Sequence, residues 1–199
     1  MALGERSLLS SVASGSLRGA RLALQAGAAV DSRDAEGRTA LTIAAEQGHV
    51  ALLRCLLDAS ADVLHRDSSG WTPLMWAARS GKADAVVEIC RAAAEEDDDL
   101  LGQDDDSLRA ARGVLEATND DGSTALMVAA SCGHAAVINA LLGAGANPLA
   151  SSAVNGSTAL HLASSCGNGE AIKLLLDGER EPLLRMTTVH GATALHLAA

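Results

Sequence analysis

The chain has 199 residues, a formal net charge of −10, no Phe, no Tyr and only two Trp, so a core must be built from Leu, Ala, Val and Ile. Its four cysteines, Cys55, Cys90, Cys132 and Cys166, show no paired framework and imply a reducing compartment, the cytoplasm or the nucleus. Eight acids lie between Glu95 and Asp106, and the charge without them is −2, which leaves no basic stripe of the kind that holds nucleic acid.

In chain order, the apolar positions after Arg6 are broken by serines too early for a secretory signal, and no later stretch approaches the roughly 18 apolar residues of a membrane span. Leu8 to Gly15 reads as a short serine-rich helix. Asp34-Ala35-Glu36-Gly37 reads as a turn in which glycine permits a positive φ, and Thr39 stands where a hydroxyl caps a helix. Leu41, Ala44 and Ala45 have the three-and-four spacing of a buried face, and Gly48 ends that helix. His49 opens a second helix with an apolar stripe of Val50, Leu53, Leu56 and Leu57. Neither helix is long enough to be stable alone.

The same Gly-x-Thr-x-Leu pattern returns at Gly70, Gly122, Gly156 and Gly191, with successive spacings of 33, 52, 34 and 35 residues. A fixed period in this range marks stacked repeats, each burying its stripes on its neighbours. The 52-residue spacing carries a surplus of 19, which falls after Val86, Val87, Ile89 and Cys90. The second helix of that unit is expected to run on through Arg91-Ala92-Ala93-Ala94, the acids to form a solvated loop outside the stack, and Ser107 to Val114 to add a short helix. A dock for a basic partner is the second reading of the acidic insertion. Calcium fails: Asp97, Asp99 and Gly102 have the spacing, but Leu101 and Leu108 occupy positions that need oxygen ligands. Further on, Ile172, Leu174, Leu175 and Leu176 form the stripe of a fifth unit. Thr193 to Ala199 opens a sixth, which makes the chain read as the N-terminal part of a longer protein with its last repeat incomplete.

Gly37-Arg38-Thr39-Ala40-Leu41 with Ala44-Ala45 and Gly48-His49, Thr72-Pro73-Leu74, Leu160-His161, Leu195-His196 and the Leu141-Leu142-Gly143-Ala144-Gly145-Ala146 ending together resemble the ankyrin repeat. The resemblance implies an all-α solenoid of stacked helix-turn-helix units with β-turn or hairpin loops, one domain over 1–199. Its repeats would span approximately 4–33 as the N-terminal cap, 34–66, 67–118 with the insertion at about 92–113, 119–152, 153–187 and 188–199. It also implies a protein-binding module or scaffold, without catalysis or cofactor, whose partner is a protein and neither nucleic acid nor a membrane interior. The alternative is a regulatory or substrate-recruiting region of a larger enzyme, a kinase, acyltransferase or ubiquitin ligase, with its catalytic domain beyond residue 199.

Carried over from the family, partner contacts fall on a concave surface of turn tips and first helices. The position after each turn glycine gives Arg38, Trp71, Ser123 and Ser157; a helical row gives Ile43, Trp76, Val128 and Leu162; one turn on come Glu46, Arg79, Ser131 and Ser165. Trp71 and Trp76 share a unit, and Trp is enriched among the most costly interface residues. His161 and His196 would link neighbouring loops, with no nucleophile placed beside them. Cys132 and Cys166 occupy the same site in successive units, about 8–10 Å apart by helix packing, too far for a shared zinc or a disulfide. They read as free thiols. Gly81-Lys82 lacks the flanking residues of a phosphate loop.

Overall fold

The computed structural model describes residues 3–95, 113–177 and 181–198. Its helices are α1 (Leu3–Ala13), α2 (Leu17–Gln25), α3 (Ala40–Gln47), α4 (Val50–Leu57), α5 (Pro73–Arg79), α6 (Ala83–Glu95), a turn α7 over 113–116, α8 (Ala125–Cys132), α9 (Ala135–Gly143), α10 (Ala159–Ser165), α11 (Gly169–Leu176), α12 (Glu181–Arg185) and α13 (Ala194–Leu197). Five threonines set their rhythm. Thr39, Thr72, Thr124, Thr158 and Thr193 lie in extended backbone and accept the N–H three residues on at 3.4 Å, satisfying a donor that the helix itself leaves unpaired.

The helices form two layers. In one, α1, α3, α5, α8, α10 and α13 pack in succession; in the other, α2, α4, α6, α9 and α11 do the same. Between units the loops carry isolated antiparallel bridges, Arg33 with Thr39, Ser151 with Thr158 and Thr187 with Thr193, and no sheet forms among the described residues. The fold is therefore the expected helix-turn-helix solenoid. First helices are enclosed on nearly every side: Ala40 through Ala45 are all buried in α3, and Ala125 through Ala130 in α8. Second helices bury one stripe. In α4 that stripe is Leu52, Leu53 and Leu56, while Val50 and Leu57, expected inside, are half-buried. The helix is flanked by both α2 and α6, so its buried face is turned toward Leu52, and Val50 stands at the rim as the first helical residue.

Neighbouring units are also stitched through their turns. Gly81, at φ 70°, is a position that favours glycine, and a Cβ there would lie 3.0 Å from the His134 ring, which would have to give way; the Nε2 of that ring bonds the Arg79 carbonyl at 2.9 Å. Asn168 does the same one unit later, donating to the carbonyls of Ala130 and Ser131 at 2.9 and 2.8 Å. At the loop tips, Ser68 N donates to Glu36 O, Asp120 N to Ser69 O and Val189 N to Asn155 O. The buried His65 reaches the Gly37 carbonyl at 2.8 Å. His161 behaves as the resemblance implies: it caps with Thr158 and its Nε2 lies 3.2 Å from the carbonyl of Ala192 in the next loop.

Helix α6 runs to Glu95, as expected from the alanines after Cys90. The acidic loop, the start of the short helix at Ser107 and the calcium spacing lie outside the described residues. Where the chain is described again, Val114 and Leu115 are buried, and α8 and α9 pack on α5 and α6 as adjacent units should. One element was not foreseen. Helix α12, late in the fifth unit, has Pro182 in its first turn, where the ring costs nothing, and buries Leu183.

Candidate binding strip on the first-helix face

The loop before each first helix is shaped by one side chain. Asp34 Oδ1 accepts the N–H groups of Glu36 and Arg38, Asp67 Oδ1 those of Ser69 and Trp71, and Asn119 Oδ1 those of Asp121 and Ser123. These Asx turns place residues 38, 71 and 123 identically at the mouth of their units. In the second and third units the residue eight positions on, at the end of the first helix, meets it on the same strip. In the second unit the pair is Arg38 and Glu46, 3.5 Å apart, with Arg38 also held by Asp34 at 2.9 Å and Glu36 at 3.6 Å. In the third it is Trp71 and Arg79.

That third unit gathers the most distinctive side chains on the strip. The Trp71 and Trp76 rings lie with centroids 5.2 Å apart, tilted by 45°, and the Arg79 guanidinium stands over both, 5.4 Å from one centroid and 5.3 Å from the other. Cation–π contacts at such distances contribute about 0.5–1 kcal/mol each at an exposed site. Asp67 ties the cluster to the loop, since its Oδ2 accepts the Trp76 Nε1–H at 2.8 Å. The two indoles are half-buried and Arg79 is exposed.

The other anticipated positions divide. Ile43 and Val128 are each 7% exposed and Ser157 is 8%, so they serve mainly to pack. Leu162, Ser123 and Ser131 are half-buried and Ser165 is exposed; Ser131 and Ser165 donate their hydroxyls back to the carbonyls of Val128 and Leu162. The strip is thus charged and aromatic over units two and three and low and hydroxylated over units four and five. Sequence reasoning missed the Asx acceptors and the turn-filling row of Lys82, His134 and Asn168. The recurrence of Asp34, Asp67 and Asn119 three residues before each turn glycine was the signal for the acceptors.

Among the described residues the most buried charge lies on the other layer. Glu88 of α6 is 3% exposed and meets Arg54 of α4 at 3.0 Å and Arg91 of its own helix. Burial pushes its pKa up, but the hydrogen bonds and charges of the two guanidiniums outweigh that, and the net shift is downward. Nearby, burial pushes the Cys90 thiol up to about 11. All four cysteines are free, Cys132 and Cys166 exposed and Cys55 and Cys90 half-buried. Among the described residues no group of three His, Cys, Asp or Glu is placed to hold a metal, and no helix is long and apolar enough to cross a membrane.

A family model for ankyrin repeats in three copies matches residues 8–99 and 143–199, and one for a single ankyrin repeat matches 121–153. No curated protein shows significant similarity to the chain.

Proposed function

Because this chain belongs to the ankyrin repeat family, whose repeats are generally protein-interaction modules, we propose that it binds a partner protein along the first-helix strip, with Trp71, Trp76 and Arg79 at the centre. The observation that carries this reading is the clustering of both tryptophans of the chain at a solvent-facing site already stiffened by Asp67. Rigid aromatic anchors lose little entropy on binding and dominate interface energies. Arg38 and Glu46 extend the surface on one side, and Ser123, Ser131 and Ser165 offer low ground on the other, where a partner's backbone can come close. The free thiols fit a reducing compartment, the cytoplasm or the nucleus.

Affinity capture from lysate with the intact chain and with Trp76→Ala, quantified by mass spectrometry, tests the proposal. Proteins retained by the intact chain should be lost from the variant, and a purified partner should bind it about 2 kcal/mol more weakly. An identical set of captured proteins, with circular dichroism showing both chains folded, overturns it.

A further inference from the structure

Arg38, Arg54, Arg66 and Arg91 each meet a carboxylate, whereas the Arg79 side chain meets none among the described residues and lies on two indole faces instead. The two rings cover one side of the guanidinium, while the side chain as a whole stays exposed, so N–H donors remain open to a ligand. The acids around it are already occupied: Asp67 accepts from Ser69 N, Trp71 N and Trp76 Nε1, and Glu46 on the preceding unit is held by Arg38 at 3.5 Å. On the following unit the counterpart of Arg79 is Ser131, whose hydroxyl is turned to Val128 O.

We infer that Arg79 receives a carboxylate from an acidic peptide segment of the partner, with the aliphatic part of that side chain lying against Trp71 and Trp76; this rests on the reading of the strip as the docking surface. A planar guanidinium fork matches a carboxylate bidentately. A phosphate dianion would call for a second cation, and the arginine that the preceding unit brings to the strip, Arg38, is already shared among Asp34, Glu36 and Glu46. Beyond Arg79 the small Ser131 and Ser165 leave room for an extended segment to continue along the array.

The test is selection of a random-peptide display library on the whole chain and on Arg79→Glu. Affinities of the selected peptides are read by intrinsic fluorescence, which reports this cluster alone because Trp71 and Trp76 are the only Trp or Tyr residues. The intact chain should select peptides enriched in Asp and Glu, and Arg79→Glu should lose that enrichment. Arg79→Gln should weaken the acidic peptides about tenfold or more, the loss of a hydrogen bond to a charged group, and Arg79→Lys, which keeps charge but not the fork, should fall between. Arg79 is exposed and its link to His134 uses the backbone carbonyl, so these variants keep the fold, which circular dichroism checks. Peptides that depend on Trp76 but carry no acidic enrichment, or ignore Arg79→Gln, overturn the carboxylate and leave the strip standing. Tighter binding when the acidic residue is replaced by phosphoserine overturns the choice of carboxylate over phosphate. Failure to select any peptide sensitive to Trp76→Ala counts against the strip itself.

Discussion

A carboxyl group with almost no water around it normally takes up a proton more readily, and Glu88 does the reverse because two arginines from successive helices close on it. Its folded pKa is lowered, so its contribution to stability is complete above the ordinary value of 4.5 and is lost as pH falls through the lower folded value. Glu88→Gln should therefore cost on the order of 1–2 kcal/mol at neutral pH, kept small because both arginines are half in water, and the gap between the two chains should close on acidification. Urea melts at a series of pH values check this; a gap independent of pH would assign the loss to packing. The thiols give a second residue-scale expectation. Maleimide should label the exposed Cys132 and Cys166 first and Cys90 last, since burial holds Cys90 protonated with a pKa of about 11 and the thiolate is the reactive form. Equal rates at all four sites in the folded chain would contradict that order.

Among the elements, the same leucine in the same register has opposite weight depending on whether another first helix packs over it. Leu160 in α10 is 1% exposed because α13 lies against that helix, whereas its counterpart Leu195 in α13 is 80% exposed. Leu160→Ala should cost about 2–5 kcal/mol, the loss of transfer free energy plus a cavity. Leu195→Ala should stay within about 0.5 kcal/mol, as for a surface site. Denaturant midpoints of the two variants decide it, and similar losses would mean that Leu195 is covered in solution. The turns obey the same logic of neighbours: Gly81 is constrained both by its positive φ and by a histidine delivered from the next unit.

Across the array as a unit, stability is a sum of repeat and interface contributions, so it should fall toward the ends. Hydrogen exchange should show the strongest protection in α5 and α8, the two innermost of the first helices packed between two others, and weaker protection in α1 and α13, which have one such neighbour each. Uniform protection would point to an all-or-none unit. The register between units three and four is held by Asp120 N to Ser69 O and His134 to Arg79 O, with Asp120 also paired at 2.9 Å to Arg66 at the end of unit two, and none of these involves the acidic insertion. Replacing residues 96–112 by a short Gly-Ser link should accordingly change stability by no more than about 1 kcal/mol, since loop-closure entropy varies only with the logarithm of length. A larger loss in thermal melts would show that the insertion holds the stack together.

The period, the capping threonines and the two kinds of helix were legible in the amino-acid order, because each depends on local chemistry repeated at fixed spacing. Trp71, Trp76 and Arg79 were grouped with the other strip positions by the family resemblance. Which of those positions face water was a matter of packing. Ile43 and Val128 hold the same register as Trp76, yet they are buried by adjoining helices, and the larger indole of Trp76 reaches the surface and bonds Asp67. The pairing of Glu88 with Arg54, and of His134 with the Arg79 carbonyl 55 residues away, was likewise invisible in the sequence. Such contacts arise between stacked units, where the geometry of the stack, and not the spacing along the chain, chooses the partner.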